Sequence, residues 1–370
     1  MIKMRNTASQ MNRAKKRELS NAVSAALSIG GTAVMLSISS IVLSQSNFGA
    51  VVELSDLDGS DGFVINGISA GDFSGSSVSG AGDINGDGID DLIIGAYEAS
   101  QNSGESYVVF GESAVGGTGT IDLSDLDGSD GFHINATNAF VSSGFSVSGA
   151  GDVNDDGVTD LIIGAYRADP NGVSSAGESY VLFGGSDVGN AGAIQLTDLD
   201  GNDGFVINGI DELDFSGFSV SGAGDINGDG VDDVIIGAVE AHPNGVSNAG
   251  ESYVLFGGSD VGSVGTVELS DLDGSDGFVI NGIDAYDELG SSVSGIGDFN
   301  GDGIDDVIVG APFAGPNTAG ESYVVFGGGA LNWINLADLD GNDGFVINGI
   351  DAGDRSGRIV NGAGDINGDG

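Results

Sequence analysis

From residue 51 onward the chain alternates short apolar runs with polar, glycine-rich joints, and no apolar spacing of helical period survives there. The runs are four to seven residues long and rich in β-branched and aromatic residues, as in "GFVINGI" (62–68), "SSVSGAG" (76–82), "DLIIGA" (91–96) and "ESYVVFG" (105–111). Such segments bounded by glycine read as strands. The set of four recurs. "DLDGSDGFVIN" begins at Asp56, with related copies at Asp125, Asp198, Asp271 and Asp338, so the starts lie 69, 73, 73 and 67 residues apart.

Within each repeat the spacing is uneven in an informative way. The distance from each start to the first Asp of the next acidic loop is 27 residues in all five copies, whereas the step from that loop to the next start is 42, 46, 46 and 40. A fixed half and a variable half describe a repeat architecture whose insertions are confined to particular loops. Four-stranded antiparallel units of this length predict an all-β fold, a β-propeller whose radially packed blades bury each sheet against its neighbours. A β-solenoid is the structural alternative, although its repeats are much shorter.

Before residue 51 the pattern changes. Six of the nine basic residues, Lys3, Arg5, Arg13, Lys15, Lys16 and Arg17, precede a stretch with no charged residue from Leu19 to Ser46. A positive segment ahead of an apolar one is the layout of an export signal. The apolar run from Ala25 to Leu43 also approaches the ~20 residues that span a bilayer. Residues 1–46 are therefore expected to be a signal peptide or membrane anchor, helical and outside the propeller of residues 51–370.

Charge narrows the function. The 370 residues carry 56 acidic and 9 basic side chains, a formal net charge of −47, which repels nucleic acid and anionic lipid and favours multivalent cations. A hydrophobic content of 40% still supplies a large core. Cysteine is absent, which removes disulfides and thiolate metal sites together.

The acidic loops are the strongest chemical signal. "GDINGDGIDDLIIGA" (82–96) recurs as "GDVNDDGVTDLIIGA" (151–165), "GDINGDGVDDVIIGA" (224–238) and "GDFNGDGIDDVIVGA" (297–311), and "GDINGDG" ends the chain at Gly370. The pattern D-x-N-x-D-G-x-x-D places side-chain oxygens at positions one, three, five and nine. Hard cations such as Ca²⁺ take ~6–8 oxygen ligands, and alternating short oxygen donors with spacers wraps a loop around one. Glycine at position six permits the bend, and the carbonyl of position seven is expected to point inward.

The predicted ligands are Asp83, Asn85, Asp87, Ile89 (carbonyl) and Asp91; Asp152, Asn154, Asp156, Val158 (carbonyl) and Asp160; Asp225, Asn227, Asp229, Val231 (carbonyl) and Asp233; Asp298, Asn300, Asp302, Ile304 (carbonyl) and Asp306; and, in the fragmentary fifth loop, Asp365, Asn367 and Asp369. An EF-hand would need a bidentate Glu at position twelve and flanking helices. Position twelve here is Ile94, Ile163, Ile236 or Val309, and the flanks are strands. A plain solvated Asx turn remains the alternative, since Asp, Asn and Gly favour turns in general.

The unit resembles the FG-GAP repeat of the integrin α-chain propeller and its bacterial relatives. Its Phe-Gly portion matches "FSG" at 73–75 and 215–217, with Gly144, Gly290 and Gly357 in phase; its Gly-Ala-Pro portion is complete only at 310–312. The resemblance implies a seven-bladed propeller with Ca²⁺ between the first two strands of a blade and a role in adhesion or ligand binding. Four whole loops and a fragment do not complete seven blades, so the chain is expected to be C-terminally truncated. The first "GFVINGI" strand is expected to complete the final blade, and without its partner to leave an edge open to pairing with other chains.

A ligand is expected on the face opposite the acidic loops, where the variable connections of strands two and three emerge. Tyr97, Tyr166, Arg167 and His242 are the candidate contacts, and the ligand would be an extracellular protein or glycan. Catalytic signals are poor. "GISAG" (67–71) matches a nucleophile elbow, but in phase Ser69 becomes Asn138, Asp211, Asp284 and Asp351, and His133 replaces a strand valine. The "DLDGxDG" copies read as polar turns, with a second metal site as the other reading. The expected function is a secreted or cell-surface calcium-binding adhesion module rather than an enzyme; a noncatalytic module of a larger secreted hydrolase or lipase, or a propeller lectin, is the alternative.

Overall fold

A computed structural model describes residues 25–29, 32–36, 53–112, 115–136, 138–328 and 333–364. Four blades succeed one another along the chain. Blade I pairs strands Ser77–Gly82, Asp91–Ala96, Glu105–Val109 and Gly131–Asn135 in that order. Blade II uses Ser146–Gly151, Asp160–Ala165, Glu178–Leu182 and Gly204–Asn208; blade III uses Ser216–Gly224, Asp233–Ala238, Glu251–Leu255 and Gly277–Asn281; blade IV uses Ser292–Gly297, Asp306–Ala311, Glu321–Val325 and Gly344–Asn348. Neighbours within these four strands are antiparallel, with Leu92 opposite Val109 and Glu105 opposite Asn135 in blade I. The all-β propeller expected from the repeat is the observed fold, with incomplete closure.

The apolar pattern reflects this packing. In "DLIIGA" both Ile93 and Ile94 are fully buried, although successive strand residues point to opposite faces. Ile93 packs with Leu161, Ile163 and Tyr180 of blade II. Ile94 packs on the other side with Phe63 and Ile65. A blade flanked on both faces buries both, so a continuous apolar run replaces strict alternation.

Glycines of the Phe-Gly and Gly-Ala portions meet across the blade boundary. A Cβ on Gly95 would lie 2.0 Å from the carbonyl oxygen of Gly144, and one on Gly164 would lie 2.1 Å from that of Gly217. Gly144 also donates its N–H to Gly164 of its own blade at 3.0 Å. Backbone touches backbone here, which is the physical reason for the glycines in both motifs.

Two features depart from the four-strand reading. A short fifth strand lies parallel to the outermost strand of the preceding blade: Ala193–Gln195 beside Gly131–Asn135, Thr266–Glu268 beside Gly204–Asn208, and Trp333–Asn335 beside Gly277–Asn281. At three residues these runs are too short for a pattern to register.

The second departure is at the N-terminus, where strands stand in place of the expected helix. Ala25–Ile29 and Thr32–Leu36 form a hairpin, and Thr32–Met35 pairs antiparallel with Phe63–Asn66. The register, Thr32 opposite Asn66, repeats that of Glu105 opposite Asn135. The open edge expected to attract other chains is thus occupied by the chain's own apolar segment. No helix among the described residues is long and apolar enough to cross a membrane.

Candidate functional site: the acidic loops and the opposite face

Each acidic loop springs from a β-bulge. The register of the first two strands shifts between Gly80 and Gly82, and at the corresponding glycines of the other blades, with Gly82 at φ +68° and Gly151 at φ +81°. A bulge bends its strand and redirects the chain. The backbone leaves the sheet and curls at once into the loop.

Inside the loop, side chains hold the backbone. Asp83 accepts hydrogen bonds from the N–H groups of Asp87 (2.9 Å) and Gly88 (2.8 Å), while the Asn85 carbonyl oxygen accepts from the same Asp87 N–H at 2.9 Å. Asp87 accepts from Ile89 N–H at 2.9 Å. The equivalent bonds recur in the second, third and fourth loops. Sharing of one N–H brings the oxygens of positions one and three to the same point.

Position nine closes the loop from below. Asp91 is 4% exposed and accepts from Ile84 N–H at 3.0 Å and from Gly111 N–H at 2.7 Å. Burial pushes its carboxyl up to about 6 against the pull of those two amides, and the carboxylates of Asp87 and Asp83 add to the rise. Asp160 and Asp233, more deeply buried, are pushed to about 7 by the same causes, and Asp306 is also raised. A negative charge kept dry beside two others is a demand for a cation.

The donor set fits a hard divalent ion. It is all oxygen and carries three carboxylates, and in the first two loops each carboxylate oxygen accepts one backbone N–H at most and retains a lone pair. Among the described residues no three ionisable side chains close into a cage; the predicted side chains instead accept hydrogen bonds from the backbone amides of their own loop. Asp365, Asn367 and Asp369 lie outside the described residues.

Backbone conformation sets the residue choice at position six. Gly88, Gly157, Gly230 and Gly303 have φ of +89°, +90°, +96° and +94°, and a Cβ there would meet nothing within 4 Å. The requirement is therefore conformational alone. Gly230→Ala should cost about 1–2 kcal/mol, seen as a lower denaturant midpoint in saturating Ca²⁺ with an unchanged slope.

The "DLDGxDG" copies are turns. Asp58 accepts from Ser60 N–H (3.0 Å) and Ser60 Oγ (2.6 Å), and Asp127 and Asp273 do the same with Ser129 and Ser275. These bonds hold the exposed carboxyls of Asp58, Asp127 and Asp273 below the usual range. Each such Asp ties up its own turn, which supports the polar-turn reading over the metal site.

On the opposite face, Tyr97 and Tyr166 come together through aromatics that sequence reasoning passed over. Tyr97 stands edge-on to Phe145 at 5.2 Å between ring centres and stacks on Phe73 at 5.6 Å. Phe145 lies 4.6 Å from Tyr166, which meets Phe218 at 5.5 Å and Phe215 at 5.7 Å. Arg167 lies over the Tyr166 ring at 5.0 Å. The platform spans three blades. Its added members flank the Phe-Gly glycines, positions that the repeat itself marks.

His242 is not part of it. It is exposed and lies near Asp214 and Glu251, as the last-ranked influence on either carboxyl. Asp214 is 4% exposed, and burial, with Glu251 and Asp211 nearby, pushes its carboxyl to about 6. A raised carboxyl binds a proton in the fold that the unfolded chain releases, so its ionisation costs stability as pH climbs from about 4 to about 6. Asp214→Asn should therefore stabilise by about 1–3 kcal/mol at pH 7.5 and little at pH 4.5, measured by denaturant unfolding at both values.

Comparison with known proteins agrees with this architecture. The FG-GAP repeat family matches residues 74–109, 143–182, 216–255 and 289–325, one segment per blade. Integrin alpha-5 of Xenopus laevis is 29% identical over 188 residues, covering 50% of this chain and 15% of that protein. Integrin alpha pat-2 of Caenorhabditis elegans is 31% identical over 191 residues, 50% of this chain and 14% of its own length. Phosphatidylinositol-glycan-specific phospholipase D of Bos taurus is 31% identical over 163 residues, 44% of this chain and 18% of that enzyme. The chain thus spans under a fifth of the length of each of these relatives. With one matched repeat in each of four blades and integrin α-chains among the similar proteins, the chain carries four FG-GAP repeats in a propeller that resembles that of the integrin α-chains.

Proposed function

We propose that this protein is a secreted or cell-surface binding and adhesion module whose four described acidic loops each hold a structural Ca²⁺. The observation that carries the reading is the recurrence, at one phase in four blades, of a buried position-nine carboxylate facing loop carboxylates, two in each of the first three loops and Asp302 in the fourth. Asp83, Asn85, Asp87, Asp91 and the carbonyl of Ile89 would hold the first ion, with the equivalent residues in the other loops. The ion does no chemistry in this reading. It neutralises the loop and fixes the strand connection, so a rigid scaffold presents the opposite face.

That face supplies the recognition surface, in which half-buried Tyr97, Phe145 and Phe218 and exposed Arg167, with buried Tyr166 packed among them, are offered to an extracellular protein or glycan. Residues 1–46 act as the export signal or anchor in this reading, a role that requires the pairing of Thr32–Met35 with Phe63–Asn66 to be given up. The integrin α-chains among the relatives favour adhesion. The phospholipase D relative supports a second reading, a noncatalytic propeller within a larger secreted enzyme.

Binding to immobilised extracellular-matrix proteins and to a glycan array tests the surface. The Tyr97→Ala/Arg167→Ala double variant should lose about 30-fold or more in affinity for whatever the parent binds, since a single anchor of this type costs about 2 kcal/mol on truncation. Undiminished binding by a variant that melts like the parent would place recognition elsewhere.

A further inference from the structure

In the third and fourth acidic loops the residue at position eight reaches back to the loop before it. In blade III, Asp232 Oδ2 accepts from the N–H of Asp152 at 2.8 Å, and Asp232 N–H donates to the Asp152 carbonyl at 3.2 Å. Asp305 of blade IV grips Asp225 in the same way, at 3.0 and 3.2 Å. Asp152 and Asp225 are the first ligands of their loops. Their grips, Asp232 and Asp305, are each followed directly by the ninth ligand of the next loop, Asp233 or Asp306.

The link between blades I and II differs. Position eight there is Thr159, whose Oγ1 is buried without a hydrogen-bond partner, 2.7 Å from where a Cβ on Gly82 would sit. A second, shorter-reaching contact is common to all three boundaries: Gly185, Gly258 and Gly328 donate to the carbonyls of Ile84, Val153 and Ile226 at 2.8 Å. Loops II, III and IV are therefore clasped twice in series, and loop I once.

We propose that Asp232 and Asp305 are positioning residues that couple cation occupancy between neighbouring loops. The inference rests on the calcium reading above. An ion in loop III fixes Asp233 and with it Asp232, which presents loop II with an anchor already set for Asp152. Less ordering is then left for the second ion, and linkage makes the effect reciprocal. Thr159 offers no carboxylate, so loop I fills nearly independently of loop II.

The test monitors Ca²⁺-dependent hydrogen-exchange protection in peptides covering each loop of the full chain, with exchange in the strand "ESYVL" (251–255) as the folding control. Disabling loop III by Asp229→Asn should raise the Ca²⁺ midpoints of loops II and IV by about five- to tenfold and leave loop I nearly unmoved. Adding Asp232→Thr, the residue type already carried at 159, should remove the effect on loop II while keeping that on loop IV. Thr159→Asp should tie loop I to loop II, so that disabling loop II by Asp156→Asn now shifts loop I. Midpoints in loops II and IV that ignore Asp229→Asn, or an effect on loop II that persists in Asp232→Thr, would overturn the coupling while leaving calcium binding intact. Protection unchanged by Ca²⁺ in every loop would overturn both.

Discussion

Removing Ca²⁺ with EGTA should lower the melting temperature by about 5–15 °C, the broadest effect expected of any change to this protein. Extracellular Ca²⁺ modules have Kd values of roughly 0.1–1 mM. At about 1 mM free ion, mass action gives roughly 0.4–1.4 kcal/mol per site, or about 2–6 kcal/mol over the four described loops. A domain of this size loses roughly 2–4 °C per kcal/mol, which sets the size of the shift. It should depend on free Ca²⁺ and be restored by Ca²⁺ in preference to Mg²⁺, whose smaller shell demands near-ideal octahedral geometry. Identical scanning-calorimetry melts in EGTA and in Ca²⁺ would remove the structural role of the loops.

The largest single-residue effect should come from Gly237→Ala. The added methyl would sit 2.1 Å from the carbonyl oxygen of Gly290 and 2.9 Å from its carbonyl carbon, with backbone on both sides and no flexible side chain to move. Overpacking of this kind costs about 3 kcal/mol or more, a loss of roughly 6–12 °C. The boundary between blades III and IV should open first, visible as faster hydrogen exchange there. Gly80→Ala is the matched control, because nothing lies within 4 Å of a Cβ at Gly80, and its cost should stay within about 0.5 kcal/mol. Its repeat-mates Gly149, Gly222 and Gly295 each face the backbone of the preceding blade at 2.7 to 3.0 Å. A Gly237→Ala protein as stable as the parent would mean that neighbouring blades do not pack backbone to backbone.

The acidic loops and the aromatic face differ in how they could be read. Asp83, Asn85, Asp87 and Asp91 lie within nine residues, so their spacing alone dictates which oxygens share a loop interior. Tyr97, Phe145, Tyr166 and Phe218 come from three blades, and nothing local in "GAYEAS" or "SGFSV" says that they touch. Asp214 is likewise unremarkable in "DELDFSG" until burial raises its carboxyl.

What the sequence by itself determined is everything with a short range or a strict period: the strands, the blade repeat, the loops and the cation-seeking oxygens. In each of these a local rule of backbone or side-chain chemistry acts many times over, so the signal accumulates. Only the tertiary structure decided which blade touches which: the glycine contact at each boundary, the grip of Asp232 on Asp152, the aromatic platform, and the pairing of Thr32–Met35 with an open strand edge. Those contacts join residues about 20 to 80 positions apart, and they exist because radial packing lays the face of each described blade against its neighbour, a constraint that no single segment carries.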